Sequence, residues 1–109
     1  MLIDYNKIIE KTNPNFKGGE LEFNVKTFED DHNKIMRGRL IPGATIGYHE
    51  HTNDSEIIYV ISGHGTMVND DGTEPVNPGE VHYCGRGRSH SLQNTGDEDL
   101  IFIGIVPKG

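Results

Sequence analysis

The sequence predicts an all-β domain built as a double-sheet jelly-roll barrel, and three observations carry that expectation. Short segments of alternating apolar and polar residues, about nine of them, are punctuated by turn residues at intervals of roughly 8–12 positions. A hydrophobic content of 33% with 14 glycines suits many short strands better than long helices. A chain of 109 residues has room for one domain around one modest core.

Leu2, Ile3, Tyr5, Ile8 and Ile9 form either a helical turn or an edge segment; Thr12 to Asn15 breaks it, and Phe16 to Gly19 extends the loop. Residues 1–20 are therefore expected to be an N-terminal arm, packing across a partner subunit or covering one end of the barrel, and residues 21–109 the barrel. Leu21 to Phe28 alternates as a half-buried strand with Leu21, Phe23 and Val25 on one face. Lys34 to Ile41 is a second strand, which Pro42-Gly43 turns into the segment ending at His51, and Glu56 opens an apolar strand over Ile57 to Ile61. His64 to Asn69 and Thr73 to Val76 are the two arms of a hairpin turned by Asp70-Asp71-Gly72. Beyond Asn77-Pro78-Gly79 lie Glu80 to Cys84, the loop Gly85 to Ser89, the strand His90 to Asn94 and the apolar closing strand Leu100 to Val106.

The formal charge of −7 argues against nucleic acid as a partner, because phosphate binding needs a basic stripe, and against an anionic membrane surface for the same reason. The acidic runs at Glu29–Asp31, Asp70–Asp71 and Asp97–Asp99 read as solvated loops. There is no run of about 18 apolar residues to span a membrane. The N-terminus lacks the basic-then-apolar layout of a signal peptide. A single cysteine, Cys84, has no internal disulfide partner and fits a reducing compartment, so a cytoplasmic location is expected.

His49 and His51 are separated by one residue and project from one side of a strand. Thr52 to Ser55 are turn formers, so a hairpin carries Glu56 back beside the two imidazoles. His90, following the turn-rich Gly85 to Ser89, is placed to supply a third. Nitrogen donors and a carboxylate facing one interior point make a ligand set for a divalent transition metal. The plain alternative is a surface His-x-His pair beside an acid, serving only solubility.

Gly43, five residues, His49-Glu50-His51, four residues, Glu56, six residues and Gly63 resemble the first motif of the cupin superfamily without a mismatch. Gly79, five residues, Gly85, Arg86, Gly87, two residues, His90, three residues and Asn94 resemble the second, with Gly85 where the family usually has proline. Glycine still turns the chain there, without proline's fixed φ. The likeness is to a small single-domain cupin and covers roughly half the chain, Gly43 to Asn94. It implies a double-stranded β-helix and a metal held by His49, His51, Glu56 and His90.

Three neutral imidazoles and a carboxylate around a divalent ion leave a local charge of about +1, which keeps Glu56 ionised and favours oxygen ligands in the remaining positions. Iron, manganese, nickel, copper and zinc all fit such a set. The resemblance implies dioxygenases, isomerases, epimerases, decarboxylases and lyases, together with proteins that catalyse nothing. The leading expectation is a metal-dependent enzyme of dioxygenase or isomerase/lyase type acting on a small oxygen-bearing metabolite. The alternative is a non-catalytic sugar- or metabolite-binding module whose metal is structural or anchors the ligand. A scaffold serving a protein partner is a third class. A homodimer is expected, since small barrels bury an extra apolar face by pairing.

Further candidates surround this set. Arg39 shares a strand face with Arg37, and either arginine is a candidate to reach a substrate carboxylate with its fork of donors. Arg86 and Arg88 flank Gly87 and are candidates to clamp an anionic ligand at the mouth. His82 and Cys84 share a face: they line the interior as supporting or acid–base groups, or they pack in the outer layer. Tyr48, Tyr59 and Tyr83 are out of phase with the ligands and should face away; His32 and His64 read as surface residues.

Overall fold

The computed structural model describes residues 1–108; Gly109, the last residue of the expected barrel, lies outside the described residues. Ten strands are present among them: β1 (Lys11–Pro14), β2 (Glu22–Glu29), β3 (Asn33–Leu40), β4 (His49–Glu50), β5 (Glu56–Ser62), β6 (Gly65–Asn69), β7 (Gly72–Val76), β8 (Val81–Cys84), β9 (Ser89–Gln93) and β10 (Leu100–Pro107). They pair antiparallel in two sheets, β1-β2-β3-β10-β5-β8 and β4-β9-β6-β7, whose inner faces enclose the core of a double-stranded β-helix.

The closing strand organises the larger sheet. Leu100, Phe102 and Val106 of β10 are buried, while Ile101, Ile103 and Ile105 line the outer face. Phe102 pairs with Gly38 across β3, and a Cβ on Gly38 would come within 2.3 Å of the Phe102 ring. The absent side chain is therefore the slot that seats Phe102. Phe23 of β2 stacks on the same ring at 6.0 Å between centroids. Ile58 and Val60 of β5 meet Met67 and Leu92 of the smaller sheet in the same core. Each such side chain contributes roughly 1.5–3 kcal/mol by leaving water.

Alternation holds on β8 as well. Val81 and Tyr83 face solvent, so His82 and Cys84 turn inward, which settles the open choice for that pair in favour of the interior. Tyr48, Tyr59 and Tyr83 are exposed, as their phase requires. His32 and His64 sit at the surface.

Three boundaries differ from the sequence reading. Thr12 to Asn15 does not break the chain into loop: Lys11–Pro14 forms β1, at the edge of the sheet, where a proline's missing N–H is tolerated. Ahead of it, Tyr5–Lys7 is a single 3₁₀ turn capped by the Asp4 side chain. Leu21 lies outside β2 with φ 54° and is half exposed, so the inward face of that strand is Phe23 and Val25. The segment before His51 is mostly irregular; β4 is two residues long, preceded by a lone bridge between Thr45 and Gln93. No helix among the described residues is long and apolar enough to cross a membrane.

Candidate metal centre

His49 and His90 are direct cross-strand partners in the β4–β9 pair, which puts their rings 4.7 Å apart. Glu56 opens β5 on the facing sheet, on the same inward side as Ile58. His51 follows β4 in a loop that two backbone bonds tie to the segment after β8: His51 N–H donates to the Arg88 carbonyl at 3.0 Å and Gly87 N–H to the His51 carbonyl at 2.6 Å. The motif's turn-rich residues thus fold onto one another and bring all four donors within 4.8 Å of one another. The carboxylate and the His90 ring are almost wholly shielded from solvent.

The internal distances fit a cation. His51 Nε2 to His90 Nε2 is 3.1 Å, His51 Nε2 to Glu56 Oε1 is 3.2 Å, and His90 Nε2 to Glu56 Oε1 is 3.0 Å. Donors bound at about 2.1 Å to one ion stand about 3.0 Å apart at right angles and about 3.4 Å apart at the tetrahedral angle. All three edges fall in that window. The opposite nitrogens are held from outside: His49 Nδ1 lies 2.7 Å from the Gly47 carbonyl and His51 Nδ1 2.7 Å from Asp54 Oδ1. Both acceptors require an N–H, so Nε2 is the nitrogen that His49 and His51 have left to offer a metal.

The electrostatics agree. Burial by itself would raise the Glu56 pKa, but hydrogen bonds from His51 and His90, with their charges, bring it down to about 2. The group is therefore an anion at any ordinary pH. The hydrogen bond to Glu56 raises the His51 pKa, against burial and with help from Asp54; a metal ion would displace that proton. Burial lowers the pKa values of His49 and His82, keeping both neutral. Burial also pushes the Cys84 thiol up to about 11, far from a reactive thiolate.

Two openings lie near the donors, one lined by His49, His51 and Glu56 and one by His82. The first is a cavity of about 290 Å³ with apolar walls from Phe16, Phe23, Met36, Ile46, Phe102 and Val106, rimmed by Lys17, Lys34 and Lys108. The second is a cleft of about 560 Å³ between β7 and β8, lined by His82, Cys84, Asn69, Glu74 and Arg88. Three of the four donors, His49, His51 and Glu56, line the smaller space, and His90 is buried beside them.

The other candidate residues stand elsewhere. Arg39 stands apart from the four donors: it lies on the outer face of β3, bound to Glu10 at 2.6 and 3.1 Å and to Asp99 at 3.4 Å, where it ties the N-terminal arm and the β9–β10 turn to the sheet. Its neighbour Arg37 is on the same outer face. Arg88 borders the larger cleft with its guanidinium on Asp71 at 2.6 Å and Asp70 at 3.3 Å, and Arg86 is exposed beside it; neither clamps the metal-side mouth. His82 lies behind His90, its Nε2 3.2 Å from His90 Nδ1, rather than in the metal-side cavity. The sequence reading missed Asp54, which stood in plain view three residues after His51 in a turn. It also missed the Gly47 carbonyl and Gly104, whose bare Cα leaves room for Glu56; backbone groups and absences carry no motif signal.

With this fold and this tetrad, the chain belongs to the cupin family: the family model described as a cupin domain matches residues 36–106. It is 31% identical over 112 residues to the oxalate-binding protein of Thermotoga maritima, an alignment covering 97% of this chain and 93% of that one. The crystal structure of a predicted oxalate decarboxylase from the same organism superposes with TM-score 0.94 over the whole of both chains at 27% identity. A shorter match, 38% over 65 residues, is to glucose-6-phosphate isomerase of Thermococcus onnurineus and covers 55% of this chain but 34% of that enzyme. A sugar phosphate isomerase of the cupin superfamily from Silicibacter pomeroyi shares the fold with TM-score 0.80 and 21% identity, over 100% of this chain and 76% of that one.

Proposed function

We propose that the protein holds one divalent transition metal through His49, His51, Glu56 and His90 and binds there a small chelating dicarboxylate of the oxalate kind. The observation that carries this is the set of three donor-to-donor distances of 3.0–3.2 Å, with the Nδ1 atoms of two imidazoles held by acceptors so that Nε2 faces the site. A bound divalent ion supplies Lewis acidity and a local charge of about +1 to draw an anion into the cavity. The lysines at the rim add to that attraction, while the apolar walls and a volume of about 290 Å³ favour a ligand of few atoms. The full-length likeness to an oxalate-binding protein supports the ligand class.

Binding rather than turnover is favoured by the carboxylates around the cavity. Glu56 belongs to the tetrad, Asp54 holds His51, and Glu29 pairs with Lys108 at 2.5 Å. Glu50, the remaining lining carboxylate, alternates away from His49 and is exposed. A catalytic reading, as a lyase or isomerase, rests on Glu50 serving as the acid–base group and on the partial match to glucose-6-phosphate isomerase. Two further proposals concern the setting. Two copies pair through the outer face of the six-stranded sheet, where Val81 and Tyr83 are 59% and 66% exposed beside Tyr59 and Ile61, and the protein works in the cytoplasm.

The test is titration calorimetry of oxalate into protein loaded with Mn²⁺ or Zn²⁺, with mass spectrometry of the incubated mixture. Metal-dependent binding with oxalate recovered intact is the expected result. No metal uptake, or no oxalate binding to loaded protein, overturns the reading, and formate or carbon dioxide as product replaces it with the catalytic one.

A further inference from the structure

Each imidazole that faces Glu56 has its second ring nitrogen engaged, but the third is engaged in an unusual way. His49 is backed by a carbonyl and His51 by a carboxylate, groups that only accept. His90 is backed by another imidazole: its Nδ1 lies 3.2 Å from His82 Nε2, with the two rings nearly parallel at 22° and 5.3 Å apart. One proton is shared across that gap, and its position decides which nitrogen His90 can offer to the Glu56 side. If Nδ1 carries it, Nε2 is a bare donor; if Nε2 carries it, the ring donates to Glu56 and cannot ligate.

We propose that His82 is a positioning residue for the metal centre: its Nε2 accepts the Nδ1–H of His90 and thereby holds that ligand in the tautomer whose Nε2 faces the metal. This rests on the metal-binding reading above. The assignment fixes the His82 proton on Nδ1, which points into the larger cleft and lies 3.9 Å from Glu74 Oε1, a separation one water molecule can bridge. A chain Glu74–His82–His90 then runs from solvent on the far side of the barrel to the buried tetrad. Cys84 takes no part in it, since its S–H donates to the Arg88 carbonyl at 3.5 Å.

The experiment uses ¹⁵N-labelled full-length protein loaded with Zn²⁺ alone. Long-range ¹H–¹⁵N spectra should show His90 protonated at Nδ1 and His82 at Nδ1 with a bare Nε2. His82→Leu, which removes the acceptor at similar bulk, should weaken Zn²⁺ binding about 10- to 100-fold, and His82→Gln, which restores an acceptor, should stay within about threefold of wild type. A residue that only fills space would change thermal stability in both variants and leave both affinities alike. Unchanged affinity in His82→Leu, or His90 protonated at Nε2, overturns the proposal. So does a second Zn²⁺ equivalent that disappears in Cys84→Ser, because His82, Cys84 and His90 also lie within 4.8 Å of one another and would then be ligands themselves. Wild-type protein that takes up no Zn²⁺ or Mn²⁺ defeats the metal reading and this role of His82 with it, whereas wild type that loads normally beside an unimpaired His82→Leu defeats the role of His82 alone.

Discussion

Gly104 stands directly beside Glu56: a Cβ at that position would lie 3.1 Å from Glu56 Oε2 and 3.2 Å from the Met36 terminal methyl. The central strand thus leaves a gap of one methyl group, and the carboxylate occupies it. Gly104→Ala should displace Glu56 and lower Mn²⁺ or Zn²⁺ affinity about tenfold, as loss of ligand support elsewhere does. Calorimetry measures this, and wild-type affinity in the variant would mean that Glu56 is not confined by β10.

Asp54 aims His51. Replacing it by alanine leaves the His51 Nδ1–H without its carboxylate and lets the ring turn. Metal affinity should fall about 10- to 100-fold. Thermal unfolding of the chelated protein should change little, because the partner is half exposed. An equal loss in both measurements would recast Asp54 as a loop-folding residue.

The Glu56 pKa, lowered from 4.5 to about 2, gives a signed pH dependence. A carboxylate with a depressed folded-state value contributes stability above its unfolded pKa and loses it as pH falls through the folded one. In chelator-treated protein, the stability difference between wild type and Glu56→Gln should therefore shrink as pH falls between 4.5 and 2, and should also decline as pH rises through the raised His51 value, where the charged imidazole partner is lost. Denaturant melts across that range test it; a difference flat to pH 2 contradicts the assignment.

Arg39→Ala should leave metal and oxalate binding unchanged. Its bonds to Glu10 and Asp99 are partly solvated, so their loss costs about 0.2–1 kcal/mol and loosens the N-terminal arm. Limited proteolysis near residue 10 should accelerate. A fall in oxalate affinity would return Arg39 to the binding surface.

Gly38→Ala sets a methyl against the Phe102 ring, and overpacking of this kind costs roughly 1–3 kcal/mol. In a domain of this size that lowers Tm by about 4–8 °C per kcal/mol. An unchanged Tm would mean that the ring shifts freely, at odds with its stacking on Phe23.

What the sequence discloses is what repeats along it. Period-two alternation places Phe102, Ile58 and Val60 inside and Tyr59 and Tyr83 outside, and the spacing of His49, His51, Glu56 and His90 anticipates a tetrad that the fold assembles. Alternation does not tell which of two candidate faces is inner for an isolated short strand; the pairing of β8 with β5 decides it for His82. The setting of Arg39 is hidden for the opposite reason. Its chemistry suits a carboxylate, but the carboxylate it meets belongs to Glu10, which lies 29 positions earlier in the chain. The β1–β2 pairing was hidden because Asn13-Pro14-Asn15 has turn composition, and only an edge position makes it acceptable as strand.

The tetrad draws from both layers of the barrel. His49 and His90 stand on the four-stranded sheet, Glu56 on the six-stranded one, and His51 in the loop between them. A cation gripped by all four is a rivet through the two layers at one open end. Pulling it out should let that rim breathe, with amide exchange quickening along β4, β9 and the start of β5 while β10 stays locked, so the barrel's own stiffness reports whether it is loaded.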